Sequence, residues 1–464
     1  MTSKLYKENI NFILHSRAHI LWMVLFSIII SCSENNDKSK EKVLFDFEKP
    51  PVIMVCFSWG TAGIGDIGIT PGLMNLLEKN IPEAEIIIVA NTYGKMRLID
   101  GEGIHVKDYL ESKYPKVTVI QTPFSSGKVV AKKDLVEEFE KAFDRADMIL
   151  YNSGTTLSYG RWGYDFHRSM KLAWPLFMAR EAGKPYGIYC QSFDKIAWPA
   201  NELFVPMLSD ADFVFCRDGN SLEYLKSLGV DSPVLEFGPD ATFALTVSDK
   251  SIANNFMKEH DLKPQQFITI TTRAINMETN TPWYSEERGL AHAAKIRKLI
   301  EEYIERTDQV VLICPEVVHD IEPHRTMIYD KLPEKTRKNV RFLDEMWLPE
   351  EAVAVYSQAE TIVSMQMHSI IMALAVGTPV LHPQWWESGR KAWMLKDLGV
   401  EEWLFDIDED PVDDMVNELM EIHNNYDTAR NKVKLALDIV HKRQDETMVI
   451  VRNTLIDATN DKDK

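Results

Sequence analysis

From residue 51 onward the chain alternates short apolar runs with amphipathic stretches: VIMVCF, EIIIVA, VTVIQ, DMILYN, YGIYC and DFVFC, then, past residue 250, FITIT, QVVLIC, ETIVSM and PVLHP. Runs this short and this rich in β-branched residues read as strands, and near-continuous apolarity means burial on both faces. Strands buried on both faces belong to parallel sheets whose connections are helices. The pattern predicts an α/β chain.

The two halves echo each other. ADMIL and ADFVF are answered by AETIV, AGKPYGIYC by VGTPVLH, and LKSLGV, ending at Val230, by LKDLGV, ending at Val400. In the second echo a glycine, Gly183 or Gly377, stops a helix, and a proline, Pro185 or Pro379, opens the next strand. The repeat predicts two doubly wound, Rossmann-like domains, residues 50–247 and 248–410, facing a common cleft, with helices of residues 411–464 packing across them. In such folds ligands lie at the carboxyl ends of the strands, so the cleft is the expected site.

Ahead of residue 50 the pattern changes. Lys4, Lys7 and Arg17 precede ILWMVLFSIII, a run too short for a comfortable membrane span, and Ser31 and Cys32 follow at once. This is the order of a lipoprotein signal over residues 1–31, with Cys32 lipidated and residues 32–49, including SENNDKSKEK, as a solvated tether. It predicts a membrane-anchored protein of the cell envelope, on the periplasmic or surface side. The alternative is an uncleaved anchor, which would hold the chain at the cytoplasmic face of the inner membrane. The remaining cysteines, Cys56, Cys190, Cys216 and Cys314, stand in strand-like runs, as small buried hydrophobes do, and show neither metal-ligand nor disulfide spacing. With 464 residues, 45% of them hydrophobic, the chain is long enough for two or three domains. A net charge of -18 argues against nucleic acid as a partner and leaves small molecules and sugars.

Candidate chemistry gathers at the ends of the strands. The first runs into SWGTAGIGDIGITPG, where Gly60, Gly63, Gly65 and Gly68 surround Asp66. Glycines in a strand-to-helix turn let backbone N–H groups approach an anion, although this spacing matches neither the dinucleotide fingerprint nor a P-loop. Asn152 and Ser153 end another strand and suit sugar hydroxyls or backbone packing equally. In FCRDGNSLEYL, Asp218 is explained as a helix cap, whereas Arg217 beside it has no such explanation. The second half brings Arg273 in TITTR, His319 and Asp320 in CPEVVHD, and Arg390 and Lys391 in ESGRKAW. His368 follows ETIVSM in SMQMHSIIMALAVGTPV, at a strand-to-helix turn, as either a packed core histidine or a proton donor. Cations meeting at one sheet edge suit a small dianion or trianion, because charge-assisted hydrogen bonds are strong.

Over residues 54–406 the order of GIGDIG, YNSGTTL, AGKPYGIYCQ, DFVFCRDGNSLEYLKSLGV with GPDATF, TITTR, QMHSIIMALAVGTPV and the lysine of ESGRKAW resembles the polysaccharide pyruvyl transferase family. The resemblance implies a glycosyltransferase-B-like pair of domains. It implies transfer of the enolpyruvyl carbons of phosphoenolpyruvate to a saccharide acceptor, closing a cyclic ketal over two hydroxyls. It also implies His368 as the general acid and a donor side of Arg273, His319, Gln366 and Lys391, with Asp66, Asn152, Ser153 and Arg217 on the acceptor side or otherwise lining the cleft. No cofactor or metal is implied. One departure stands out: the family usually carries Arg-x-His where this chain has Gln366-Met367-His368. A neutral amide for a donor-binding cation costs about 2–5 kcal/mol of anion affinity. Either another cation compensates or the donor has changed, and an exported position, where phosphoenolpyruvate is not expected, raises the same question. The alternatives are a glycosyltransferase-like enzyme with another donor and an inactive glycan-binding lipoprotein.

Overall fold

A computed structural model of the chain describes residues 47, 49–58, 60, 63–95, 103–124, 131–160, 165–273 and 285–461. The expected signal, Cys32 and nearly all of the tether lie outside these residues. No described helix is long and apolar enough to cross a membrane.

The apolar runs pair into two parallel sheets. The first holds β1 (Val52–Ser58), β2 (Glu85–Ala90), β3 (Val117–Gln121), β4 (Met148–Tyr151), β5 (Tyr186–Gln191), β6 (Phe213–Cys216) and β7 (Leu235–Phe237) in the order 3-2-1-4-5-6-7. The second holds β8 (Phe267–Thr271), β9 (Val310–Ile313), β10 (Val340–Phe342), β11 (Thr361–Ser364), β12 (Val380–Gln384) and β13 (Leu404–Asp406) in the order 10-9-8-11-12-13. Strand order therefore reverses between β1 and β4 in one sheet and between β8 and β11 in the other. Doubly wound sheets hold ligands at that reversal, where helices leave to opposite faces and open a crevice. Burial follows topology. β4 and β11 are buried at every position, whereas the edge strand β7 is only partly covered. This is why the central runs are apolar without alternation. All four cysteines of the strands and strand ends are buried as free thiols.

Helix α1 (Ile64–Asn80) leaves β1 and is buried round most of its circumference, because it packs against the turn Ala241–Ala244, against helices Pro349–Tyr356 and Met367–Ala375 of the second domain and against the helix Tyr426–Asp461. Here one expectation is corrected: Gly65 and Gly68 lie inside the helix, not in a ligand-cradling turn. They thin the helix for close packing. A methyl group on Gly68 would stand 2.7 Å from Met372 Cε, and one on Gly72 would overlap the backbone carbonyl of Ala241. In an open helix Gly→Ala stabilises by up to ~1 kcal/mol. Gly72→Ala is expected to do the reverse, costing about 1–3 kcal/mol as overpacking against unyielding backbone. A lowered denaturation midpoint is the readout; a raised one would show that the Ala241 turn yields.

Three further helices matter below: α2 (Gly219–Ser227), α3 (Met367–Ala375) and α4 (Tyr426–Asp461). α2 is capped by Asp218, whose Oδ1 accepts from Ser221 N at 2.6 Å, as the sequence predicts. α4 begins on the second domain, where Ala429, Val433, Ala436 and Val440 join the core of Leu398 and Val400. It ends on the first, where Thr447 meets Tyr189 and Arg452 pairs with Glu83. Other cross-domain contacts run from Tyr109 and Lys113 to Glu350, from Arg390 to Asn220 and Asp194, and from Gly219 N to Asp397 Oδ2 at 2.7 Å.

Candidate functional site

The loops after β1, β9, β11 and β12 converge between the two sheets. Gly63 pairs with Val317 in an antiparallel bridge, and Ile64 N donates to the Glu316 carbonyl at 2.9 Å, so the start of α1 is bonded to the second domain. His368 is the second residue of α3. Its imidazole lies against Gly65, where any Cβ would overlap the ring. The ring is 13% exposed; Nδ1 stands 3.8 Å from Glu316 Oε1, an ion-pair separation, and Nε2 is buried without a hydrogen-bond partner. Glu316, 4% exposed, accepts at Oε2 from Ser369 N at 2.7 Å and from Ser369 Oγ at 2.6 Å. Burial would raise its carboxyl, but His368 and the Ser369 donors outweigh burial and hold it below the ordinary range.

Charged groups surround this pair. Arg273, exposed at the end of β8, lies 5.4 Å over the Trp385 ring and donates from Nη1 to Gln366 Oε1 at 3.4 Å. Gln366, 3% exposed, donates in turn from Nε2 to Asp320 Oδ2 at 2.9 Å. Lys391 is half-buried, and desolvation, together with Arg217 and Arg273, brings its ammonium down to about 8. Asp66 opens toward the cleft. The protein crowding round its carboxyl pushes it up, while His368 pulls it down less strongly. Asp66 feels His368, Glu316, Lys391 and Arg273 together, so residues of both domains share one electrostatic neighbourhood. His319 stands exposed on the turn Val318–Asp320 that follows β9.

Three acceptor-side candidates are taken up by protein partners. Arg217 is 2% exposed; its Nη1 reaches Asp240 Oδ2 at 2.5 Å and its Nε donates to Ser192 Oγ at 2.7 Å. The cation that sequence left unexplained is thus half of a buried ion pair. Burial alone would raise the Asp240 carboxyl, but Arg217, then His368, overcome it and hold the group low. Asn152 and Ser153 are fully buried and occupied with protein partners: Asn152 Nδ2 donates to Thr70 Oγ1 at 3.3 Å, and Ser153 Oγ donates to the Tyr189 carbonyl at 3.2 Å. Of the two roles open to them, backbone packing is the one the structure supports. Arg390 is likewise spent on the cross-domain contact, lying 4.4 Å over the Tyr224 ring. Glu316 was overlooked. Its signal is in CPEVVHD, a carboxylate two residues beyond the strand run VVLIC, but a lone acid there carries no pattern that sets it apart from His319 and Asp320.

The arrangement joins an imidazole with one unpartnered nitrogen, a carboxylate at ion-pair distance from it, and, in the same electrostatic neighbourhood, Asp66 of the other domain with Arg273 and Lys391. That set suits proton transfer to and from a small bound anion. A family model described as polysaccharide pyruvyl transferase matches residues 64–382. Among curated proteins nothing matches the chain. Solved structures similar in fold include the MnaA–UDP co-structure from S. aureus, at 15% identity and TM-score 0.51 over 83% of this chain and 91% of that one. The Anabaena Alr3699/HepE complex with UDP-glucose gives 14% identity and TM-score 0.52 over 88% and 99%. UDP-GlcNAc 2-epimerase from Neisseria meningitidis bound to UDP-GlcNAc gives 12% and 0.50 over 88% and 100%. At these identities the likeness is one of fold: two parallel-sheet domains of glycosyltransferase-B type.

Proposed function

The chain belongs to the polysaccharide pyruvyl transferase family, and from that membership we propose that it transfers the pyruvyl group of phosphoenolpyruvate to a saccharide as a ketal. The observation that carries this reading is the His368 imidazole, in the first turn after β11, within one electrostatic neighbourhood with Asp66, Arg273 and Lys391. Arg273 and Lys391 hold the donor's carboxylate and phosphate. His368 delivers a proton to the methylene carbon, and the adjacent carbon becomes oxocarbenium-like. A sugar hydroxyl attacks that carbon and gives its proton to Asp66; the carbon–oxygen bond to phosphate breaks, the electron pair leaving with phosphate. A second hydroxyl closes the ring. The two hydroxyl protons balance those taken up by the new methyl group and the departing phosphate.

Calorimetric titration with phosphoenolpyruvate tests the donor. Lys391, brought down to about 8 by burial and by Arg217 and Arg273, is charged below that pH and neutral above it. Affinity is therefore expected to be nearly flat up to pH 8 and to fall by up to about tenfold per pH unit beyond it. Lys391→Arg, which cannot lose its charge in this range, should abolish the fall. Absence of phosphoenolpyruvate binding at every pH, with no phosphate released in the presence of a panel of p-nitrophenyl hexosides and N-acetylhexosaminides, would overturn the proposal.

A second reading, the same fold with another donor, draws on Gln366. Its amide is already satisfied between Arg273 and Asp320, at the position where the family usually offers a cation. Titrating UDP-glucose, the ligand of the Anabaena structure, in parallel separates the two.

A further inference from the structure

Glu316 lies where three requirements meet, and it does more than cap a helix. Resting on the functional reading above, we propose that Glu316 is the positioning residue of His368: it holds Nδ1–H, leaves Nε2 as the atom that passes the proton, and ties that arrangement to the docking of the two domains. The carboxylate cannot swing freely, because Ser369, the next residue along α3, fixes Oε2 through both its backbone N–H and its hydroxyl. Oε1 is thereby left toward Nδ1 of His368, at 3.8 Å. This separation is too long for a hydrogen bond. Catalytic hydrogen bonds are commonly long in unliganded sites and tighten when substrate fills them. On the far side of the ring Nε2 is buried and unpartnered. A buried nitrogen without a partner is costly unless a ligand atom supplies one.

The same residue fastens the first domain. Its carbonyl accepts from Ile64 N in the first turn of α1, and the adjoining Val317 bridges to Gly63. Gly65, next in line, forms the wall against which the imidazole rests. Parting the domains would withdraw that wall and the backbone bond together, so the proton donor is set only in the docked arrangement. The step it serves balances: Nε2–H goes to the donor's methylene carbon, the neutral ring keeps Nδ1–H on Glu316, and a hydroxyl proton relayed through Asp66 restores Nε2–H.

A plain helix-capping role would explain the Ser369 bonds and nothing else. Glu316→Gln separates the two, since the amide oxygen still accepts from Ser369 while the charge facing His368 is gone. Three readouts apply to the full chain. Turnover of phosphoenolpyruvate in the acceptor panel is expected to lose about 10²-fold or more in kcat, by analogy with orienting carboxylates behind catalytic histidines, with KM for phosphoenolpyruvate within about twofold. Glu316→Asp should recover part of it. Nitrogen-15 shifts of labelled histidine, recorded with the ring deprotonated and assigned by loss of the His368 signals in His368→Gln, are expected to show the Nδ1–H tautomer in the wild type and a mixture in Glu316→Gln. Unchanged kcat, or an unchanged tautomer with the melting temperature lowered, would reduce Glu316 to a cap. The tautomer measurement needs no turnover. If no variant uses phosphoenolpyruvate, the functional reading falls while the positioning of His368 is still decided.

Discussion

His368→Ala is expected to lower the rate of pyruvyl transfer by roughly 10²- to 10⁴-fold, the usual cost of losing a positioned proton donor. That range corresponds to about 3–5 kcal/mol of transition-state stabilisation. The fold should feel little of it. Gly65, against which the ring rests, offers no side chain, Glu316 stands at ion-pair distance, and Nε2 gives up no hydrogen bond. Single-turnover phosphate release and a thermal melt on the same preparation check both halves. If His368 were a core histidine, the result would invert: a lower melting temperature with an unchanged rate per folded molecule.

Arg217→Ala is expected to be the most destabilising of the substitutions considered, by about 3–5 kcal/mol at neutral pH, because it strands a buried charge. Asp240 is fully buried and, against the pull of burial, is kept ionised by Arg217. A carboxyl held below its unfolded value stabilises the fold above that value, and the contribution fades as pH falls through the folded one. The deficit of Arg217→Ala should accordingly be full at neutrality and shrink in acid. Denaturant midpoints at pH 7 and at low pH measure this. Replacing both partners, as Arg217→Met with Asp240→Leu, should restore most of the loss, since an apolar pair needs no compensation. Equal midpoints for wild type and Arg217→Ala would mean that the charge finds water or another partner.

The unequal legibility of these residues has a physical basis. Strands β4, β5, β8 and β11 could be read directly, because burial on both faces demands unbroken apolarity and leaves a local signature. The same holds for Asp218, whose cap is made within three residues. His368 could be located because its position follows from the end of one strand. What distant residues decide could not be read. Arg217 and Asp240 are 23 positions apart, and nothing local in either announces the other. The glycines of α1 looked like a ligand turn because a close helix contact and a backbone cradle demand the same residue. Asn152 and Ser153 offered hydroxyl-type chemistry that packing had already taken. Glu316 was missed for the opposite reason: a lone acid after a strand is common, and its meaning comes from Ser369 and His368 arriving 53 and 52 residues later.

The long helix α4 has a temporal consequence. β7 closes the first sheet at Phe237, but residues that bond back to that domain, Arg443, Thr447 and Arg452, come 206 residues later and beyond. On a ribosome adding about 5–20 residues per second, the first domain waits roughly ten to forty seconds for its last piece. Throughout that interval Tyr189 lacks its Thr447 partner and Glu83 its arginine. The first domain is thus vulnerable long after its own strands are made, and its docking is complete only when α4 has left the exit tunnel.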